Sequence, residues 1–410
     1  MKFSLFIGIL FWQFGFTLAE DNWNQFRGPT GRGHTEAKGL PTSWGESNIR
    51  WKSSLRGIGQ SSPINWGDRL FLTSASEDGA ERYVMAYSAS SGELLWERTI
   101  SCDAPEEFHQ MNTQATPTCA TDGNSVVAFF GPGGLHAFTM DGETKWSMNL
   151  GEFPGTWGIA ASPIIFDGKV IQNCDATGIS RLVAVDLETG DILWDSPRED
   201  NPKGGWSTPI LIEHDGEKEL ILNGEFGVRG YSPDTGEEIW FCQAFNGRGS
   251  PVPEFFDGKL YVVNGKPGDT YCVKPGGSGN VTETHMLWHA SRKGGRDLPS
   301  PAVVNGTLFI SSMSGIASSY DVDSGETYYV ERLGEGIEIA AAPLVADGLI
   351  YLQTVKGGDV IIVRPGKRLN ILGVNSLGEE AAEEIFRATI APINGNLFIR
   401  SGKTLYCVSK

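Results

Sequence analysis

A small residue followed by proline recurs along almost the whole chain, and this period constrains the fold more than any other feature. The pairs are Ser62-Pro63, Thr116-Pro117, Ser162-Pro163, Thr208-Pro209, Ser250-Pro251, Ser300-Pro301, Ala342-Pro343 and Ala391-Pro392. Their spacings are 54, 46, 46, 42, 50, 42 and 49 residues. An apolar strand and a tight turn follow most pairs, with turns such as Trp66-Gly67-Asp68, Asp167-Gly168, Asp257-Gly258, Asn305-Gly306, Asp347-Gly348 and Asn394-Gly395. Asn-Gly and Asp-Gly are strong hairpin signals because both turn positions need positive φ. Each period then closes on a third strand, a glycine turn and an aromatic fourth strand. Ala184 to Trp194 is the fullest copy; Ala86 to Trp96, Ala137 to Trp146, Gly230 to Trp240 and Ser319 to Tyr329 are variants. The fifth copy carries a Gly-rich insertion over 275–284 before Trp288, and the seventh lacks the aromatic residue.

A four-stranded sheet has two apolar faces and cannot bury them alone, so such units must stack on one another. Stacked radially, they leave only short edges exposed. The expected fold is therefore all-β: an eight-bladed β-propeller of four-stranded antiparallel blades. Trp51, Trp96, Trp146, Trp194, Trp240, Trp288 and Tyr329 are expected to be structural, wedging between blades. The last copy ends after its third strand. Asn48 to Leu55, which contains Trp51, has the form of a fourth strand. A strand at about 48–56 is thus expected to complete the C-terminal blade and close the ring.

The residues before the repeats read as an address. Lys2, an apolar run from Phe3 to Leu18 and the small-residue ending Thr17-Leu18-Ala19 have the form of a secretory signal peptide. The expected organisation is a signal peptide at 1–19, a lead segment at 20–47 and the propeller at 48–410. No cysteine follows the signal to carry a lipid, and no later stretch is long or apolar enough to span a membrane. A periplasmic or secreted protein is expected. Export permits disulfides among the six cysteines, and Cys102 with Cys119, flanking one loop, is the best pair. The formal charge of −17 disfavours nucleic acid, whose binding needs clustered Lys and Arg. At 40% hydrophobic and 20% charged residues, the chain is too apolar for disorder.

The Ala-x-Asp-x-x-Thr-Gly-x-x-x-Trp unit at 184–194 resembles the tryptophan-docking repeat of the pyrroloquinoline-quinone (PQQ) propeller superfamily. That superfamily includes quinoprotein dehydrogenases and the BamB-type outer-membrane assembly lipoproteins, which use the propeller without the cofactor. The opening Trp23 to Gly31, with Leu40-Pro41 and Trp44, and the ending Gly395 to Arg400 resemble the secreted planctomycete-type PQQ-like proteins. The resemblance implies an eight-bladed ring and export. In the dehydrogenases it would also imply PQQ over a tryptophan floor, beneath adjacent cysteines, with Ca²⁺ held by Glu, Asn and Asp. This chain has no Cys-Cys pair and no Cys-x-x-Cys-His haem motif, and it lacks the long inter-blade insertions.

Residues ahead of each proline leave one blade for the next and are expected to converge on the axis. They are Arg56, Gln60, His109, Asn112, Gln114, Trp157, Trp206, Asn246, Arg248, Arg296, Asp297, Glu338 and Arg387. Polar and aromatic groups around a concave mouth are the default binding site of such a ring. No catalytic or metal-ligating set stands out; His285 and His289 are too far apart along one strand to make a metal pair. The expected function is a cofactor-free, monomeric binding or scaffold module of the cell envelope, holding an envelope protein or a carbohydrate. The alternatives are a PQQ- and Ca²⁺-dependent oxidoreductase and a carbohydrate-active enzyme.

Overall fold

The computed structural model describes residues 22–198, 203–243, 248–264, 268–292 and 298–410. The expected signal peptide lies outside the described residues. Eight sheets form a ring, and seven of them run their four blade strands in sequence order from the axis outward. Blade 1 runs from Ile64–Trp66 to Leu94–Ser101, blade 2 from Ala120–Thr121 to Thr144–Met148, and blade 3 from Ile164–Phe166 to Ile192–Pro197. Blade 4 runs from Ile210–His214 to Glu238–Gln243, blade 5 from Glu254–Phe256 to Met286–Ala290, and blade 6 from Ala302–Val304 to Thr327–Arg332. Blade 7 runs from Leu344–Ala346 to Ile371–Asn375. Blade 8 combines Ala391–Ile393, Asn396–Arg400 and Thr404–Val408 with Ile49–Ser54.

Local chemistry accounts for the strand pairing. Asp167, Asp257, Asn305, Asp347 and Asn394 have φ of 47 to 51°, each followed by a positive-φ glycine. These are the residue types that tolerate the left-handed region, so they set hairpin registers such as Ile164↔Ile171 and Ala302↔Phe309. The middle strands are buried on both faces, as in Leu397–Ile399 and Val360–Val363. Among the described residues, helix is confined to one α-turn, Thr282–His285, and short 3₁₀ turns, including Glu379–Ala381.

The outer tryptophans dock sideways onto the next blade. Trp51 Nε1 donates to Ala89 O at 3.2 Å, Trp96 to Met140 O at 2.9 Å, and Trp146 to Leu187 O at 2.9 Å. Trp194 reaches Pro233 O at 3.3 Å and Trp288 reaches Val322 O at 3.0 Å. The indoles lie flat on the glycine of that blade's outer turn. A Cβ at Gly92 would stand 2.6 Å from the Trp51 ring, and one at Gly325 2.6 Å from Trp288. Close approach and a φ of 72 to 75° both require glycine there. Trp240 departs from the pattern: its Nε1 donates to Glu219 within its own blade at 2.7 Å. The blade 5 turn it would meet is replaced by the 275–284 insertion, whose Gly279–Asn280 adds a parallel strand beside Trp240 and Phe241.

Ring closure follows the expected route. Ile49–Ser54 pairs antiparallel with Thr404–Val408, with Trp51 opposite Cys407 and edge-on to Phe398 at 5.7 Å. A buried arginine reinforces the seam. Arg400 in blade 8 donates to Ser61 O at 2.8 Å, to Ser61 Oγ, to Thr73 O at 2.7 Å and to Ser74 Oγ at 2.9 Å, all beside blade 1. Burial pushes its guanidinium down to about 9.

Two expectations are corrected. All six cysteines are buried free thiols, so Cys102 and Cys119 form no disulfide. Cys119 packs in the apolar core between blades 1 and 2, while Cys102 Sγ accepts from Arg82 at 3.7 Å. The repeat anchors also shift in three blades. The position two residues before each inner strand is Ser62, Thr118, Ser162, Thr208, Val252, Ser300, Ala342 and Thr389. Blades 2, 5 and 8 thus anchor two residues away from Thr116, Ser250 and Ala391; in blade 5 a second proline, Pro253, follows the true anchor Val252.

Candidate binding site

Those eight anchor positions ring the axis, and six carry hydroxyls that tie blade to blade. Ser62 N donates to Thr118 Oγ1 at 2.8 Å, Thr118 N to Ser162 Oγ at 2.9 Å, and Ser162 N to Thr208 Oγ1 at 3.0 Å. Val252 N donates to Ser300 Oγ at 3.0 Å and Thr389 N to Ser62 Oγ at 2.9 Å. The hydroxyl satisfies a buried amide that no sheet partner reaches. At Val252, which has no hydroxyl, Asn223 Nδ2 and Ser207 Oγ bond Pro251 O instead, at 2.9 and 3.3 Å.

Above this belt the axis opens into a crater with a cavity of about 170 Å³. Seven of the residues expected at the mouth line it: Gln60, His109, Asn112, Trp157, Trp206, Arg248 and Arg387. Arg248 packs against two indoles, 4.9 Å from the Trp157 ring centre and 5.6 Å from that of Trp206. His109 lies 4.4 Å from Trp157. Met111 N–H donates to His109 Nδ1 at 3.2 Å, so the neutral imidazole carries its proton on Nε2. Asn112 braces the wall by donating to Trp157 O at 2.9 Å, and Trp206 Nε1 donates to Gly158 O at 3.1 Å. The long loop bearing His109 is pinned from below, where buried Arg82 bonds Glu106 at 2.8 Å. Burial raises the Glu106 carboxyl, with Arg82 pulling it down. Arg387 donates to Gln110 O at 3.4 Å; burial lowers its guanidinium, and Glu338 opposes that shift.

The remaining expected residues do not join the crater. Arg56 turns outward to Glu97 at 2.5 Å and stacks on Tyr83 at 4.2 Å. Gln114 is buried under the long loop, donating to Glu106 O at 3.1 Å, and Glu338 is exposed outside the lining. Arg296, Asn246 and Asp297 lie outside the described residues. His285 closes a helical turn, while His289 Nε2 meets Asp269 at 3.0 Å. Sequence reasoning missed Met111, Leu298, the alanines 340–342 and the belt hydroxyls. The small residue ahead of each proline was the available signal for the belt.

It also missed Phe26, which completes the crater lining. Residues 22–44 form a strap across the lower face. Trp23 and Asn65 exchange bonds of 2.7 and 2.9 Å, Thr121 N donates to Asn24 O at 2.9 Å, and His34–Thr35 pairs parallel with Val345 and Ala346. Trp44 N then donates to Asn375 Oδ1 at 2.9 Å. The strap is locked at blade 5, where fully buried Glu254 meets Arg32 at 2.9 Å, His34 at 3.1 Å and Arg27 at 3.6 Å. Arg27, also fully buried, is pushed down to about 10 by desolvation against the pull of Glu254.

A sequence profile described as outer membrane protein assembly factor BamB matches residues 42–221 and 224–365, well over half of the chain. The chain belongs to this family of PQQ-like propellers. Among solved structures it is similar to BamB from Moraxella catarrhalis, at 15% identity and a TM-score of 0.64 over 88% of this chain and 97% of that one. It is also similar to a europium-containing methanol dehydrogenase, at 11% identity and 0.67 over 95% and 98%. The computationally designed protein Ika8 aligns at 12% identity and 0.61 over 87% and 98%. At such identities these likenesses establish the fold alone. No curated protein matches the chain. Among the described residues, no helix is long and apolar enough to cross a membrane.

Proposed function

We propose that this BamB-family propeller is an exported, non-catalytic binding module of the cell envelope that receives its partner or ligand in the axial crater. One observation carries the reading: the Arg248 guanidinium packs against Trp157 and Trp206 yet makes no hydrogen bond or ion pair with any described residue. A pre-ordered charged group facing a cavity is a binding determinant rather than a fold determinant. The leader-like residues 1–19 support export, and the BamB-family match supports a scaffold role over an enzymatic one.

The described lining offers no ligand set for PQQ with Ca²⁺. Calcium takes six to eight oxygen ligands, largely carboxylates, and the described lining residues include no Asp or Glu. Nor do the described residues hold a metal-competent group of three His, Cys, Asp or Glu side chains. No redox step is therefore assigned. Carbohydrate recognition is disfavoured because His109 and Arg248 already pack against the Trp157 ring that a sugar would need.

Two measurements test the reading. Protein incubated with PQQ and Ca²⁺ is expected to show no dye-linked oxidation of alcohols or sugars; turnover would make it a quinoprotein. Capture from envelope extract is expected to be lost in the H109A/W157A/W206A/R248A variant, and equal capture by both proteins would move the interaction off the crater.

A further inference from the structure

The crater's charge is opposite to that of the molecule around it. The chain carries a formal charge of −17. Yet the described lining holds two arginines, Arg248 and Arg387, a histidine and no carboxylate. Several buried or stacked arginines elsewhere are paired with acids: Arg27 and Arg32 with Glu254, Arg82 with Glu106, Arg56 with Glu97; buried Arg400 is instead satisfied by serine hydroxyls and backbone carbonyls. In the crater, Arg387 feels Glu338 and bonds Gln110 O, whereas the Arg248 guanidinium has no acid partner among the described residues. A guanidinium packed on two indoles is restrained while its N–H groups remain able to meet an oxyanion through two parallel hydrogen bonds. His109, with its proton on Nε2, adds a further donor. The rest of the wall is apolar or hydroxylic, from Met111, Ala160, Val252, Leu298 and Ala340 to the belt serines and threonines. Phe26, from the strap across the lower face, completes the lining.

We infer that the crater selects ligands bearing an oxyanion, a carboxylate or a phosphate, which docks on the guanidinium of Arg248, with Arg387 supplying further positive charge to the same cavity. This rests on the binding reading above and adds the chemistry of what is bound. The acidic exterior repels anions in general and the crater accepts one that fits it. Binding thus depends on the local fork rather than on long-range attraction.

The test uses the whole protein and three probes measured by calorimetry or fluorescence polarisation: a labelled octapeptide with two adjacent aspartates flanked by apolar residues, citrate, and inorganic phosphate. The Asp→Asn version of the peptide and a neutral oligosaccharide are the controls. At least one anionic probe is expected to bind, with a tenfold or greater loss in R248Q, a smaller loss in R387Q, and no binding of the controls. R248K keeps the charge but loses the planar fork, and is expected to fall between wild type and R248Q. Peptide binding that citrate and phosphate do not displace would assign the site to a protein segment. Displacement by citrate or by phosphate would assign it to the corresponding small anion; each upholds oxyanion recognition. The inference is overturned if the neutral controls bind as well as the anions, if R248Q binds them undiminished, or if no anionic probe binds. Loss of envelope capture in the quadruple variant, together with undiminished capture by R248Q, would leave the binding module standing and remove only its anion specificity.

Discussion

The two ends of the propeller axis use the same side chains to opposite effect. At the lower end Arg27, Arg32 and His34 converge on buried Glu254, and the result is a locked strap. At the upper end Arg248, Arg387 and His109 surround a cavity whose described lining has no acid, and the result is an open crater. A buried cation given a carboxylate becomes part of the architecture, because removing either partner strands a charge in low dielectric. A cation packed on aromatic rings without one keeps its hydrogen-bonding edge free for a ligand. The difference is a single carboxylate, Glu254, placed at the start of the inner strand of blade 5.

Both ends presuppose a closed ring, so the largest effect is expected from opening it. Deleting residues 48–56 removes the partner of Thr404–Val408 and should yield no folded, monodisperse protein by size exclusion and circular dichroism. A stable deletion variant would separate the strap and crater from ring closure. Next, Glu254→Gln should destabilise the fold by about 3–5 kcal/mol in chemical denaturation, the cost of breaking a buried pair; wild-type stability would show that the strap is held by packing alone. Phe26→Ala should cost about 1–2 kcal/mol, since the ring is only partly buried. It should also open the crater floor, weakening any bound ligand without touching Arg248. Smallest in stability, Arg248→Gln should stay within about 0.5 kcal/mol of wild type while weakening anion binding tenfold or more. If Arg248→Gln unfolds the protein as Glu254→Gln does, the contrast between the two ends collapses.

Much of the ring was legible before any coordinates. Turn chemistry at Asp167 or Asn305 and the Gly–Trp spacing at 184–194 act locally, within a hairpin or between a turn and the next blade, so they leave a periodic trace. The closing strand around Trp51 could be read for the same reason. The crater was readable in part: Trp157, Trp206 and Arg248 occur where every blade-to-blade crossing must pass the axis. Arg56 and Gln114 sit at equivalent places in the period, yet turn to Glu97 and to the Glu106 carbonyl, and no spacing foretells which neighbour a side chain will find. The role of the strap was hidden because residues 22–44 repeat nothing.

By itself the sequence determined the blade count, the antiparallel order and the closure, since hairpin glycines, prolines and docking tryptophans act over short range and recur. Only the tertiary structure decided that six cysteines remain thiols, that Phe26 lines the crater and that Glu254 gathers three cations. Those outcomes depend on which side chains meet once the blades have packed, as buried Arg27 and Glu254 do across the chain, and no local pattern encodes such meetings.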